Sequence, residues 1–540
     1  MVERDQMREV DALVVGAGMG GIMALRELTN ELGLDAILID KAPGIGGTWF
    51  WNRYPGALSD TQSFMYQLPF DKELYQQVDW KTRYVQGPEI RKYLEQAVDF
   101  WALRGRIQLE TALLRADFDE AAARWDVETD QGHFRVRFLI TSVGLLSQIN
   151  VPKFPGIDQF GGRIVHTGAW PDDLDIAGMR LGVIGNGSTG VQFMTEAAKT
   201  VEHLTSFQRT PQYTVPAGNR EWTDAELQHF KDTIEDRWEE FKTSKIGFGV
   251  DETTRLMSDV TAEEREAIFE WAWQKGGNYT FATETFADVT ANHESNQHAA
   301  DFIRGKIRQI VNDPETARKL IPSEIYARRP ICDSGYYEMF NRSNVELVST
   351  RENPIKEFVA EGIVTDDGAL HKIDVLVMAT GFDAVEGSYR AFDIHGRGGE
   401  TLKEHWGDAP RSHLGIAVSG FPNMFMILGP NGPFVNNPTA IGVQAKWITK
   451  AIAAVVETPD GSIELRPEAE EAWLDECLYE LDGSLFLETG SWIFGSNIPG
   501  KRKPRTANFY VGGLDKYLQI SGAEADGGFP SYVVRVTSAV

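Results

Sequence analysis

The pattern Gly-x-Gly-x-x-Gly occurs twice in this chain, each time directly behind a short apolar run. The first copy is Gly16-Ala17-Gly18-Met19-Gly20-Gly21, behind Ala12-Leu13-Val14-Val15. The second is Gly185-Asn186-Gly187-Ser188-Thr189-Gly190, behind Leu181-Gly182-Val183-Ile184. An apolar strand feeding a glycine turn and then a helix is how an open α/β sheet binds a dinucleotide. Gly16 permits the tight turn, Gly18 lets the backbone approach a pyrophosphate, and Gly21 lets helix and strand pack closely. The helix N-terminus offers unpaired N–H groups to the phosphates. Two such sites imply two dinucleotides that must meet, which points to electron transfer between them.

The strands that follow the two loops end differently. Asp40 closes the strand Asp35–Asp40, about 20 residues after the first loop, where a carboxylate takes a ribose hydroxyl. The strand His203–Gln208 runs instead into Arg209-Thr210. A carboxylate there would repel a 2′-phosphate, whereas an arginine binds it through two parallel hydrogen bonds, so the second site favours NADP over NAD.

Between and after the loops the alternation of strand and helix continues. Met19–Leu32 reads as the first helix, and Phe138–Gly144 and Ile373–Gly381 as later strands. From Trp222 the pattern turns helical. Thr223-Asp224-Ala225-Glu226 fits a capping box, and Leu227, Phe230, Ile234, Trp238 and Phe241 follow on one helical face. Thr261 and Asp313-Pro314 open further helices. The expected fold is α/β, with two Rossmann-like dinucleotide-binding domains and an inserted helical subdomain. One domain is 1–145 with 381–540, the other 146–221 with 325–380, and the insertion is 222–324.

The 540 residues carry a net charge of −26, which argues against a nucleic-acid partner. No apolar run approaches the roughly 20 residues that span a bilayer, and the charged start has no signal-peptide core, so the reading is a cytoplasmic protein with no membrane partner, a monomer or weak oligomer. The two cysteines, Cys332 and Cys477, form no Cys-x-x-Cys, so neither a redox dithiol nor a metal site is signalled.

Several segments then carry a resemblance. Phe160-x-Gly162-x-x-x-His166-x-x-x-Trp170-Pro171-Asp172 resembles the signature of type I Baeyer–Villiger monooxygenases. Gly46-Gly47-Thr48-Trp49 through Ser59-Asp60, Arg328-Arg329-Pro330 before Tyr336-Tyr337, Ala379-Thr380-Gly381-Phe382-Asp383, and Ser491-Trp492 through Gly500-Lys501 are similar to further patterns of that family. The cyclohexanone-oxidising branch is the nearest in pattern, judged from Gly429–Phe434 and Ser491–Gly500. The resemblance implies FAD in the first loop and NADPH in the second. It also implies a flavin C4a-peroxide that attacks a ketone, with O2 as co-substrate, giving an ester or lactone, and sulfoxidation as a side activity.

The same resemblance assigns residues. Arg329 is the active-site arginine and Asp60 the carboxylate that holds it. Arg209, Thr210 and Arg328 surround the 2′-phosphate. Gly47, Thr48 and Trp49 belong with the flavin loop Gly16, Gly18 and Gly21, and Ser188 and Thr189 with Gly185, Gly187 and Gly190. Trp492, in a loop with Gly495, Pro499, Gly500 and Lys501–Lys503, packs inside a lid over NADP. Leu145, Leu146, Phe248, Phe281 and Phe434 either line the ketone pocket or are simply core. His166 is read as a satisfied hydrogen-bonding residue that, with Trp170, ties domain position to catalysis, and not as an acid or base. Tyr279–Thr283 and Asn437–Ile441 depart from the cyclohexanone-oxidising relatives, which puts cyclohexanone in doubt as the native substrate.

Three other functions compete. An N- or S-oxidising flavin monooxygenase shares both loops, but as a group lacks the Trp-Pro-Asp ending and the Asp60–Arg329 pair. A disulfide reductase needs the missing dithiol. A non-catalytic NADP sensor would not need Arg329 and Asp60.

Overall fold

A computed structural model describes residues 7–494 and 507–535. The strand Met7–Val15 lies parallel to Ala36–Ile39 on one side and to Gly132–Thr141 on the other. Its inner half, Ala12–Val15, is buried on both faces, which is why it reads as an unbroken apolar run. Leu113–Asp119 and Arg124–Thr129 extend this sheet antiparallel. Ile107–Gln108 continues it beyond Ala36–Ile39, and Asp393–His395 and Met424–Met426 join it from the far end of the chain, giving eight strands. The second sheet is all parallel, in the order Val345–Ser349, His203–Gln208, Arg180–Ile184, Val375–Met378, Arg163–His166. Its last strand is the edge that carries His166.

Both glycine turns are geometrically obligatory. Gly16 and Gly185 sit at φ +113° and +106°. A Cβ on Gly21 would lie 1.7 Å from the Gly16 carbonyl oxygen, and one on Gly190 2.2 Å from that of Gly185.

The stretch from 222 to 324 holds Asp224–Asp232, Ile234–Glu240, Ala262–Lys275, His293–Ile310 and Pro314–Leu320, with no strand among the described residues between Pro216 and Ile331. Thr223 and Thr261 form capping boxes with Glu226 and Glu264, and Asp313 caps the helix that Pro314 opens. These helices share no core of their own. Phe230 stacks on Phe64 at 4.4 Å and Phe241 is buried in the core of the first sheet, whereas Phe269, Phe302 and Ile303 belong to the core of the second.

Two helices differ from their spacing. The face Leu227–Phe241 is interrupted at Thr233, whose hydroxyl donates to the His229 carbonyl at 2.8 Å. The helix Met19–Arg26 passes into a π-turn at Glu27–Glu31, where the Thr29 hydroxyl donates to the Leu25 carbonyl at 2.8 Å. In both places a threonine bonds back four residues, which bends or breaks a helix without changing its apolar pattern. Among the described residues no helix is long and apolar enough to cross a membrane, and no cluster could hold a metal ion. Cys332 and Cys477 are buried free thiols.

Candidate active site

Arg329 precedes the strand Ile331–Asp333, which pairs with Thr214–Pro216. Asp333 anchors this junction by accepting the N–H groups of Gly335 and Tyr336 and the Thr214 hydroxyl at 2.8, 2.7 and 2.5 Å. Arg329 Nη2 lies 2.6 Å from Asp60 Oδ2, the two side chains being 22% and 16% exposed. Burial alone would lower the guanidinium pKa. The Asp60 carboxylate is the chief opposing influence, and the guanidinium is held above its ordinary value.

Beside this pair is a small cavity lined by Asp60, Gln62, Tyr84, Phe248, Asn278 and Tyr279, among others. Phe248, flanked by Gly247 and Gly249 at φ +64° and +69°, stacks on Tyr279 with ring centres 3.8 Å apart. Burial pushes the Tyr279 phenol up to about 12, so it keeps its proton and can donate. Asn278 donates to the Pro330 carbonyl at 3.2 Å.

The five apolar pocket candidates separate. Phe248 is in the wall just described. Leu145, Leu146 and Phe434 belong to a different cluster, with Val385, Ile493, Phe509 and Trp492. Phe281 is a core residue: it is 0% exposed and packs on Phe269, Phe302 and Tyr326. Phe281 lies within the π-turn Thr280–Glu284, and it is Tyr279 and Thr280, at the start of that turn, that reach the cavity. Trp492 meets Phe509 edge-on at 6.2 Å, and nearby the Thr489 hydroxyl donates to the Ala327 carbonyl at 2.7 Å. Gly495, Pro499, Gly500 and Lys501–Lys503 lie outside the described residues.

The glycine loops fit the dinucleotides. In the first, Gly18 meets a second glycine: a Cβ on Gly47, at φ +54°, would lie 2.8 Å from Gly18 Cα. Thr48 and Trp49 start the helix behind Gly47, and Trp49 Nε1 donates to Tyr66 Oη at 3.1 Å. Asp40 accepts the Ala17 N–H at 2.6 Å and the Ala42 N–H at 2.7 Å, so it braces the loop. Burial raises its pKa, against the pull of those two bonds. In the second loop a Cβ on Gly187 would meet nothing within 4 Å, which leaves a phosphate room to approach. Gly18 and Gly187 are the N-caps of Met19–Arg26 and of Ser188–Ala197, which Ser188 and Thr189 open, and no side chain caps either. Arg209 is exposed, and among the described residues no carboxylate pairs with it; Thr210 follows it, half-buried. Arg328 is already paired, with Glu324 at 2.5 Å. Two bare helix N-termini and an unpaired cation that donate to phosphates, and a carboxylate that accepts from a ribose hydroxyl, are the groups that suit FAD and NADP.

The signature segment holds the two halves together. Phe160 packs on Phe358, and a Cβ on Gly162 would lie 2.4 Å from the Asp374 carbonyl oxygen. His166 Nδ1 accepts the Gly168 N–H at 3.0 Å, and burial lowers its pKa, so the ring is neutral. Trp170 is buried against Phe193 on the helix Ser188–Ala197. Its carbonyl accepts from Arg53 at 3.3 Å, and Arg53 also pairs with Asp172 at 2.5 Å. Tyr54, next in the chain, donates to Gln192 at 3.0 Å. Sequence reasoning missed these roles of Arg53 and Asp172, and within the stretch Tyr279–Thr283 that it singled out it chose Phe281 for the pocket rather than Tyr279. No spacing could reveal a pair 119 residues apart, although Arg53 and Asp172 both stand inside recognisable motifs.

A family model for flavin-binding monooxygenase-like proteins matches residues 10–216. The chain is 48% identical to phenazine N-monooxygenase PhzNO1 of Lysobacter antibioticus, over 99% of this chain and 98% of that protein. It is 45% identical to a Baeyer–Villiger monooxygenase of Pseudooceanicola batsensis, over 97% and 96%. Its structure matches that of cyclohexanone monooxygenase from Rhodococcus sp. Phi1 bound to NADP+ with a TM-score of 0.96 and 47% identity, over 98% of this chain and 100% of that one.

Proposed function

Since this chain belongs to the Baeyer–Villiger monooxygenases, we propose how its residues divide the work of that reaction. The protein is an FAD-containing, NADPH-dependent ketone monooxygenase that inserts one oxygen atom beside a carbonyl carbon, forming an ester or lactone. FAD, once reduced by NADPH, supplies the capture of O2 and the delivery of that oxygen atom. The first glycine loop, with Asp40, Gly47, Thr48 and Trp49, holds FAD. The second loop, Gly185–Gly190, holds NADP, with Arg209, Thr210 and Arg328 around the 2′-phosphate. Residues 1–145 with 381–540 form the FAD domain and 146–221 with 325–380 the NADP domain, an assignment supported by the late strands that complete each sheet.

The observation that carries the reading is the Arg329–Asp60 pair beside the cavity. Oxygen insertion beside a carbonyl builds negative charge on oxygen, and a fixed guanidinium sheltered from water stabilises it. Arg329 acts as a charge and not as an acid, because its pKa stands above an already high value. Asp60 sets its orientation. Phe248 and Tyr279 exclude water and bound the ketone. Trp492, packed in one cluster with Leu145, Leu146 and Phe434, belongs to a lid over NADP. His166 and Trp170 position the NADP half and move no proton. The setting proposed is the cytoplasm, where NADPH is regenerated, with a small ketone and O2 as partners.

NADPH loss in air, followed with the purified yellow protein and a panel of cyclic and linear ketones, tests this. Ketone-dependent gain of one oxygen with little hydrogen peroxide is expected; peroxide alone with every ketone would overturn it. One observation favours a second reading, oxidation of an aromatic ring nitrogen: the 48% identity to a phenazine N-monooxygenase. That likeness, over nearly the whole chain, narrows the separation between N-oxidising and ketone-oxidising enzymes drawn above from motifs, and phenazines belong in the same panel.

A further inference from the structure

Asn186 stands between the first two glycines of the second loop, where the reading so far gives it no role. Its side chain supplies one. Asn186 is 7% exposed, and its Nδ2 donates to Gln208 Oε1 at 2.9 Å and to the Thr210 carbonyl at 3.1 Å. Both amide hydrogens therefore cross from the glycine loop to the end of the neighbouring strand. Gln208 is itself immobilised. It is 2% exposed, its amide donates to the Lys319 carbonyl at 2.9 Å, and its own carbonyl accepts the Thr350 N–H at 2.8 Å.

Arg209 lies between the two acceptors. Asn186 thus grips the turn on either side of Arg209 while the Arg209 guanidinium stays exposed and, among the described residues, unpaired with any carboxylate. An arginine binds phosphate through a planar fork, so its value depends on how its backbone is aimed. Gly185 and Gly187, on either side of Asn186, have no side chain with which to hold that aim.

We propose that Asn186 is a positioning residue that ties the pyrophosphate loop to the Arg209–Thr210 turn and so sets the preference of this protein for a 2′-phosphorylated dinucleotide. The inference rests on reading Arg209 and Thr210 as the 2′-phosphate site.

Calorimetric titration of the full-length FAD-loaded protein with 2′,5′-ADP and with 5′-ADP tests it. Asn186→Ala is expected to weaken 2′,5′-ADP by about tenfold, the size of two lost net hydrogen bonds, and to leave 5′-ADP within about twofold. Asn186→Leu is close in size, uncharged and without a donor, so it should lower the same ratio even if alanine loosens the fold. The NADPH-to-NADH ratio of kcat/KM should fall in parallel. Equal weakening of both ligands would show a merely structural residue and overturn the proposal, as would no change in either. Arg209→Ala separates the two layers: unaltered 2′,5′-ADP binding in that variant overturns the 2′-phosphate reading and the inference with it. Loss there with Asn186→Ala unaffected overturns the inference alone.

Discussion

Arg329 is held by Asp60 at 2.6 Å and reaches the Pro330 carbonyl at 3.4 Å, a carbonyl that Asn278 also engages. A cation placed this firmly contributes chiefly where charge develops. Arg329→Ala should therefore still be reduced by NADPH at a near-normal rate, while ester formation falls by about 10²–10³. Stopped-flow reduction and product chromatography check this, and robust ester formation by the variant would sink the role. Phe281 and Tyr279 make a second contrast, two residues apart. Phe281→Ala should cost about 3–5 kcal/mol, the price of emptying a packed aromatic site. Tyr279→Phe removes only a phenol hydroxyl from the cavity, so it should alter the ranking of ketones with denaturation midpoints nearly unchanged. If instead Phe281→Ala leaves stability intact and reorders the ketones, the assignment of core and wall is reversed.

Within the second strand–loop–helix unit, two glycines that look equivalent in the pattern do different things. Gly190 has no room for a Cβ, 2.2 Å from the Gly185 carbonyl oxygen, whereas Gly187 has open space and an ordinary φ of −70°. Gly190→Ala should fail to accumulate as folded protein. Gly187→Ala should fold and keep its flavin, yet bind NADP+ about tenfold or more weakly, because its methyl enters the space left for the pyrophosphate. Thermal melts and NADP+ titration check both. Normal NADP+ affinity in Gly187→Ala would mean that the phosphates do not approach that backbone.

Across the molecule, the C-terminal strand Tyr532–Arg535 is tied back by His413, whose Nδ1 shares a hydrogen bond of 3.0 Å with Tyr532 Oη, and whose ring meets Trp473 edge-on. Burial lowers the His413 pKa to about 4 from its ordinary 6.5. Between those values the unfolded chain binds the extra proton and the folded one does not. Stability from this group is thus complete above pH 6.5 and is lost as the pH falls through 4, by about 2 kcal/mol between pH 7 and 5. Urea midpoints against pH should show that slope, and His413→Gln should flatten it; an unchanged slope would exclude His413 as its source. Much of this architecture follows from local spacing. The glycine turns, the buried run Ala12–Val15, the capping boxes at Thr223 and Thr261 and the strand ending in Arg209 depend on neighbours within about one turn or one strand, and such short-range sterics and hydrogen bonding are written in consecutive residues. The late strands that complete the first sheet, the Arg53–Asp172 clamp, the burial of Phe281 and the grip of Asn186 on Gln208 were decided by the tertiary structure alone. Each depends on which distant segment fills the neighbouring space, and burial and pairing between segments far apart in sequence leave no period in either of them.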